Sequence, residues 1–260
     1  MKLCQSLLLL CCTTAFAQIT VAADDRADFA FNVDIAAQLD NFTASELQNA
    51  LNPQDSGDTE IDYGLNIRAQ YKVYEQDDGD KLWLYGQTIR TVRSAEVVCA
   101  KAPKFFGCAQ FDGSFGVDDI PSRDVAFSIL RDAESIEGYL GLRYEFDRIE
   151  TEGFDGELYV NLETGFASVE GSSDDLASIH HVGLGVVLTE SDFANSFLEI
   201  GYGKNSLFQD ATNRGRLRTR VERKFPIVES LRFFLETEID FDGSDGADSI
   251  RTQIGFTFDL

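Results

Sequence analysis

Two adjacent histidines, His180 and His181, are the only imidazoles in the chain, and Ser178, Asp174 and Asp175 stand close by in sequence. Serine, histidine and an acid are the parts of a nucleophilic hydrolase. The spacing argues against one. Residues two apart on an extended strand lie about 6.6 Å apart along it, so Ser178 and His180 would share a face without hydrogen-bonding. A solvated pair of histidines is the simpler account. The acids of segment 242–248 (Asp242, Asp245, Asp248) recur every third residue, unlike the alternating ligands of a calcium loop, and read better as an Asp/Gly hairpin turn. No catalytic residue, metal site or cofactor is expected.

Cysteine chemistry is confined to one pair. Of five cysteines, Cys4, Cys11 and Cys12 fall in the first two dozen residues, leaving Cys99 and Cys108. A zinc site would need further ligands, and both histidines lie far along the chain. A disulfide between Cys99 and Cys108 is the expectation.

The larger set of chemically capable residues is ionic: Arg68, Arg143, Glu145, Glu157, Glu163, Arg216, Arg218, Arg220, Glu222, Arg232, Glu236, Glu238, Asp240 and Arg251. With a turn centred near Ile227, Arg216 falls opposite Glu238, Arg218 opposite Glu236, and Glu222 opposite Arg232. Opposite charges across strands stabilise a confined polar interior, whereas on an open surface each pair contributes only about 0–1 kcal/mol. Such a set is either a narrow path that attracts anionic small solutes or a salt-bridged structural core. The near match of acids to arginines leaves no single-sign ring of the kind a selective pore uses, which favours the core.

These charges alternate with apolar residues. In 29–40, Phe29, Phe31, Val33, Ile35, Ala37 and Leu39 oppose Asn32, Asp34 and Gln38; in 60–73, Ile61, Tyr63, Leu65 and Ile67 oppose Asp62, Asn66 and Arg68. Period two means strands with two different environments. Similar segments follow at 140–146, 157–166, 182–188, 198–202, 216–222, 231–241 and 248–260. A further one at 82–91 has ambiguous faces. About ten strands result, with eight or twelve as alternatives. Parity puts His181 on the charged face and His180 on the apolar one. Short links alternate with longer ones near 42–58, 94–135, 170–176 and 205–215. The 94–135 segment carries Phe105, Phe106, Phe111 and Phe115 and a helical turn near 122–131. It could cap the fold, fill its interior, or pack on itself. A second helical turn is read at 43–49.

Residues 1–23 read as a signal peptide, with Lys2, an apolar core at 7–12, and cleavage after Ala17 or Ala23. Residues 24–260 then form a single β domain. With 45 acidic against 22 basic residues, and a formal charge of −23, the chain as a whole repels nucleic acid and anionic lipid head groups, and neither is an expected partner.

The last strand, 248–260, alternates almost without error, is close to the roughly 9–11 residues that cross a bilayer, and ends the chain at Leu260 with Phe258 two before it. With the signal and the alternating link lengths, this resembles the outer-membrane β-barrels of Gram-negative bacteria. The resemblance implies an antiparallel up-and-down barrel in the outer membrane, contacting its lipid, with long links outside and aromatic girdles drawn from Tyr71, Tyr74, Phe146, Phe154, Phe193, Tyr202, Phe225 and Phe241. It implies a porin-like or structural role, with loop-mediated binding as the alternative. A lipid-modifying enzyme and a soluble periplasmic β-sandwich are the less favoured readings. At about ten strands the interior would be largely filled, unlike porins of roughly 16–18 strands.

Overall fold

Alternation along ten segments produces ten strands, each antiparallel to its neighbours, in a sheet that closes on itself. The computed structural model describes residues 28–40, 61–76, 79–114, 116–151, 154–169, 177–188, 196–204, 213–225, 228–241 and 247–260. The strands are β1 (Phe29–Asp40), β2 (Asp62–Glu75), β3 (Lys81–Val92), β4 (Ser135–Thr151), β5 (Phe154–Val169), β6 (Ala177–Leu188), β7 (Phe197–Lys204), β8 (Asn213–Phe225), β9 (Val228–Phe241) and β10 (Ala247–Asp259). Each pairs with the next, and β10 returns to β1 with Val33 opposite Phe258 and Asp40 opposite Arg251. The architecture is a ten-stranded up-and-down barrel, not a two-sheet sandwich, so no edge is left unpaired. The signal segment, the 43–49 turn, Asp174, Asp175, Phe115, Phe193 and most of the 242–248 link lie outside the described residues.

Parity along each strand decides which way its side chains point. Asn32 and Asp34 of β1, Glu163 of β5, Glu199 of β7 and Arg216, Arg218 and Arg220 of β8 turn inward and are buried. Their neighbours in sequence turn outward, and Leu140 and Ile200 remain 63% and 57% exposed. This inverts the usual arrangement of a water-soluble fold. Strand β3, ambiguous in sequence, sends Trp83 and Tyr85 inward, where Trp83 Nε1 donates to Glu145 at 2.8 Å. Leu84 faces out and is exposed.

The link between β3 and β4 forms a lobe of two helices, α1 (Ala95–Cys99) and α2 (Arg123–Asp132), with a 3-10 turn at Val117–Asp119. Helix α2 starts where the sequence offers a cap: Ser122 Oγ accepts from the Asp124 amide at 3.3 Å. Its Val125 and Ile129 are fully buried. Cys99 and Cys108 are joined by a disulfide, with Cα atoms 5.4 Å apart. The lobe neither fills the interior nor only packs on itself; it lies against the outer wall. Val98, Phe105, Val125 and Ile129 form one cluster with Ile35 and Ala37 of β1, Tyr63 and Leu65 of β2, Leu231 of β9 and Phe256 of β10. The Phe105 ring sits 6.1 Å from Tyr63 and 6.3 Å from Phe256, and Phe106 reaches Phe233 at 6.1 Å. Each such aromatic removed from water contributes roughly 1.5–3 kcal/mol. Tyr63 Oη donates to the Phe106 carbonyl at 3.2 Å, so the polar tip is satisfied as well. Tight contact requires Gly107: its φ is +81°, and a Cβ there would lie 2.5 Å from Ile61 Cδ1.

Candidate functional site

The interior is built from arginines on alternate positions of β8 and acids on the strands around it. Strand β8 runs Arg216, Leu217, Arg218, Thr219, Arg220, so period two delivers three guanidinium groups to one side. Arg220 contacts Asp34 at 3.0 Å, Glu222 at 2.6 Å and Glu236 at 2.8 Å; it also donates to Thr257 Oγ1 at 2.9 Å. Its guanidinium carbon lies 3.9 Å from the centre of the Phe234 ring. Arg218 reaches Glu163 at 3.3 Å, Glu238 at 3.6 Å, and Glu199 and Glu236 at 3.7 Å. Arg216 contacts Asp240 at 3.1 Å and Glu238 at 3.4 Å. Arg232 contacts Glu222 at 3.2 Å and also pairs with Asp259. Nearer the other side, Arg143 meets Glu145 at 2.8 Å and Lys81 meets Glu157 at 2.8 Å.

Neutral groups complete the network. Tyr85 Oη donates its one hydrogen to Glu163 at 2.5 Å and lies 2.8 Å from Asn161 Oδ1, and Asn161 donates to Glu199 at 3.2 Å. His181 Nε2 lies 3.0 Å from Glu199 Oε1. Arg68 Nε donates to Gln87 at 3.1 Å, and no acid pairs with it among the described residues. Arg251 lies opposite Glu238 in the ladder and lines the same interior. Large side chains lie flat because their neighbours are glycines. A Cβ on Gly141 would fall 2.2 Å from the Tyr85 ring, and one on Gly201 would fall 2.3 Å from His181. The space left between Arg68, Arg216, Arg218, Glu238 and Gln253 is about 30 Å³. That is room for about one water.

The β8–β9 register differs from the sequence expectation. Arg216 stands opposite Asp240, Arg218 opposite Glu238 and Arg220 opposite Glu236; Glu222 stands opposite Phe234. The cause is a break in the ladder between Lys224 and Phe225, which displaces the pairing after the turn. The expected partners still meet diagonally, Arg216 with Glu238, Arg218 with Glu236 and Glu222 with Arg232. Missed in sequence were Tyr85, Tyr139, whose hydroxyl donates to Glu137, Tyr159, whose ring lies 5.5 Å from the Arg143 guanidinium, and Glu199. Glu199 was identifiable, since it is an acid alternating with Leu198 and Ile200.

On the outside, Ser178 and His180 are both exposed on β6, and no hydrogen bond joins them among the described residues. The described residues hold no cluster of three or more metal-ligating side chains. A concavity of about 620 Å³ lies over β3 to β8, lined by Leu84, Leu140, Leu142, Leu162, Val182 and Tyr202 with Thr164, His180 and Asn213.

No protein-family model and no curated protein sequence matches the chain. Among solved structures it is similar to an active-site mutant of outer membrane phospholipase A from Escherichia coli, at 8% identity and TM-score 0.41, over 92% of this chain and 94% of that one. It is also similar to the transport unit of the autotransporter AIDA-I from Escherichia coli, at 9% identity and TM-score 0.35, over 95% and 96%. A porin mutant from Rh. blastica follows at 11% identity and TM-score 0.25, over 89% and 99%.

Proposed function

We propose that this chain is a barrel of the outer membrane whose interior is an ion-paired structural core, closed to solutes. The observation that carries the reading is the distribution of side chains across the wall. Arg220, with 1% of its side chain exposed, sits among three carboxylates inside, while Leu140, Leu162, Val182, Leu184, Leu198 and Ile200 are exposed outside. A wall that buries its charges and displays its aliphatics is stable in hydrocarbon and unstable in water. Both described chain ends lie at the end of the barrel that carries the shorter links after β2, β4 and β8, which supports a periplasmic placement of that end. The roles assigned here are structural, and no covalent chemistry is assigned.

A second reading rests on the lobe. The lobe leaves Phe127 of α2 64% exposed and Val117 49% exposed, apolar surface that a partner could cover. Binding of a partner through this lobe is compatible with a closed interior.

The test is expression of the full chain, residues 1–260, in a Gram-negative host, fractionation, and electrophoresis with and without boiling. Outer-membrane recovery, a heat-dependent mobility shift and no conductance steps in planar bilayers are expected. A soluble periplasmic product overturns the membrane reading. Ion-selective conductance that is lost on Arg218→Glu overturns the closed core.

A further inference from the structure

The outer concavity has a directional chemistry that the strand register makes explicit. One row of laddered neighbours, Leu84, Leu142, Leu162, Val182 and Tyr202, crosses β3 to β7 and is apolar with an aromatic end. The next outward row, two residues closer to the long links, runs Leu140, Thr164, His180, Lys204 and Asn213. Side chains of adjacent rows stand about 7 Å apart along the strands. The surface therefore turns from aliphatic to hydrogen-bonding and basic within one step, at a concavity of about 620 Å³. That volume is in the range of ligand-binding clefts.

Charge decides the occupant. The chain carries 45 acids, yet among the described residues the only carboxylate lining the concavity, Glu163, points inward and is engaged by Arg218 at 3.3 Å. Glu199, on the strand that carries Lys204, is likewise turned inward onto His181. His180 lines the concavity and Lys204, its ladder partner, stands at the edge beyond the lining, so the two face each other across β6 and β7 on the outer wall. An aliphatic floor below a basic and hydroxyl-bearing rim matches an amphiphile with an acyl tail and an anionic head.

We propose that this concavity binds a phosphate-bearing anionic lipid of the surrounding bilayer. Its acyl chain lies on Leu84, Leu142, Leu162 and Val182, and its phosphate meets His180 and Lys204, beside Thr164, whose Oγ1 donates to the Ile179 carbonyl at 3.5 Å. The inference rests on the barrel being in a membrane, because only there does the outer wall meet lipid.

The experiment uses the full chain, folded in neutral detergent containing equal amounts of phosphatidylglycerol and phosphatidylcholine with the same acyl chains. Retained lipid is counted by native mass spectrometry. Phosphatidylglycerol should be retained at least about fivefold over phosphatidylcholine, the partition expected for one cation near a lipid surface. Lys204→Gln with His180→Gln should remove that preference while leaving the heat-dependent gel shift in place. Leu162→Trp, which fills the floor, should lower retention of both lipids. Equal retention of the two lipids by a heat-modifiable barrel overturns the lipid site alone, as does a preference that survives Lys204→Gln with His180→Gln. The wild-type comparison decides the matter even if a variant does not fold. Recovery of the native chain as a soluble periplasmic protein overturns the site together with the membrane reading beneath it.

Discussion

Replacing Arg220 with methionine tests whether the interior is held by its charges. Methionine keeps the length and much of the volume of the arginine stem, so what is lost is the guanidinium. Three carboxylates lose a partner, but not equally. Glu222 retains Arg232 at 3.2 Å, and Glu236 retains Arg218 at 3.7 Å. Asp34 keeps only the amide of Asn66, at 3.2 Å, among the described residues. The substitution therefore leaves one buried carboxylate without a cation, together with the loss of the Thr257 hydrogen bond and the Phe234 ring contact. Removing one partner of a buried pair costs about 3–5 kcal/mol. Adding Asp34→Asn to Arg220→Met removes the orphaned charge and should recover a large part of the loss, a coupling that two independent sites would not show. The assay is equilibrium urea unfolding of the barrel folded in detergent, read from the mobility of unboiled samples. The ionic-core reasoning is refuted if Arg220→Met lies within about 0.5 kcal/mol of the native chain, or if Asp34→Asn makes the methionine variant less stable.

Three further outcomes concern the lobe. Cys99→Ser with Cys108→Ser should release about 2.5–3 kcal/mol of loop-closure stabilisation from the segment. Limited proteolysis should then cut within 93–134 while the heat-dependent gel shift of the barrel persists. Gly107→Ala places a side chain where φ is +81° and Ile61 is 2.5 Å away, and should detach the lobe by at least about 1–2 kcal/mol. Faster hydrogen exchange in α1 and α2, with the strands unchanged, is the readout. Acidification should loosen the lobe as well. The Gly116 amide, with Lys104, holds the Asp119 carboxyl below its ordinary value, as Ser114 does for Asp112 and the Arg131 side chain does for Asp132. Groups depressed in the folded state stabilise it above the unfolded pKa and lose that contribution as pH falls through the folded one. The opening free energy of the lobe, from exchange rates corrected for the intrinsic rate at each pH, should therefore be level from pH 7 to about 5 and fall below about pH 4; a fall between pH 7 and 5 contradicts the assignment.

The strands were legible because period-two alternation survives wherever one face is aliphatic and the other charged, as in Arg216 to Arg220 or Ile250 to Phe258. Strand β3 resisted because Trp83 and Tyr85 are large apolar bodies whose polar tips are used inside the barrel, by Glu145 and Glu163. Periodicity cannot separate such residues from leucine. The β8–β9 register was misread because a ladder irregularity at Lys224 and Phe225 leaves no trace in alternation. The lobe's position was not legible at all. Phe105 and Phe106 are visible as aromatics, but their partners Tyr63, Phe233 and Phe256 come from distant strands, and no local pattern encodes that meeting.

Nine of the ten strand junctions in this barrel join consecutive segments of chain; only β1 against β10 is a seam between the two ends of the sequence. A cylinder made this way has one natural parting line. The lobe lies across it, with Phe105 touching Tyr63 of β2 on one side and Phe256 of β10 on the other, and Phe106 reaching on to Phe233 of β9. It works as a buckle, inserted between β3 and β4 and itself locked by Cys99 and Cys108. Sideways opening of the wall at that line, the route by which a molecule could leave a closed barrel without passing through either mouth, is thereby fastened from outside.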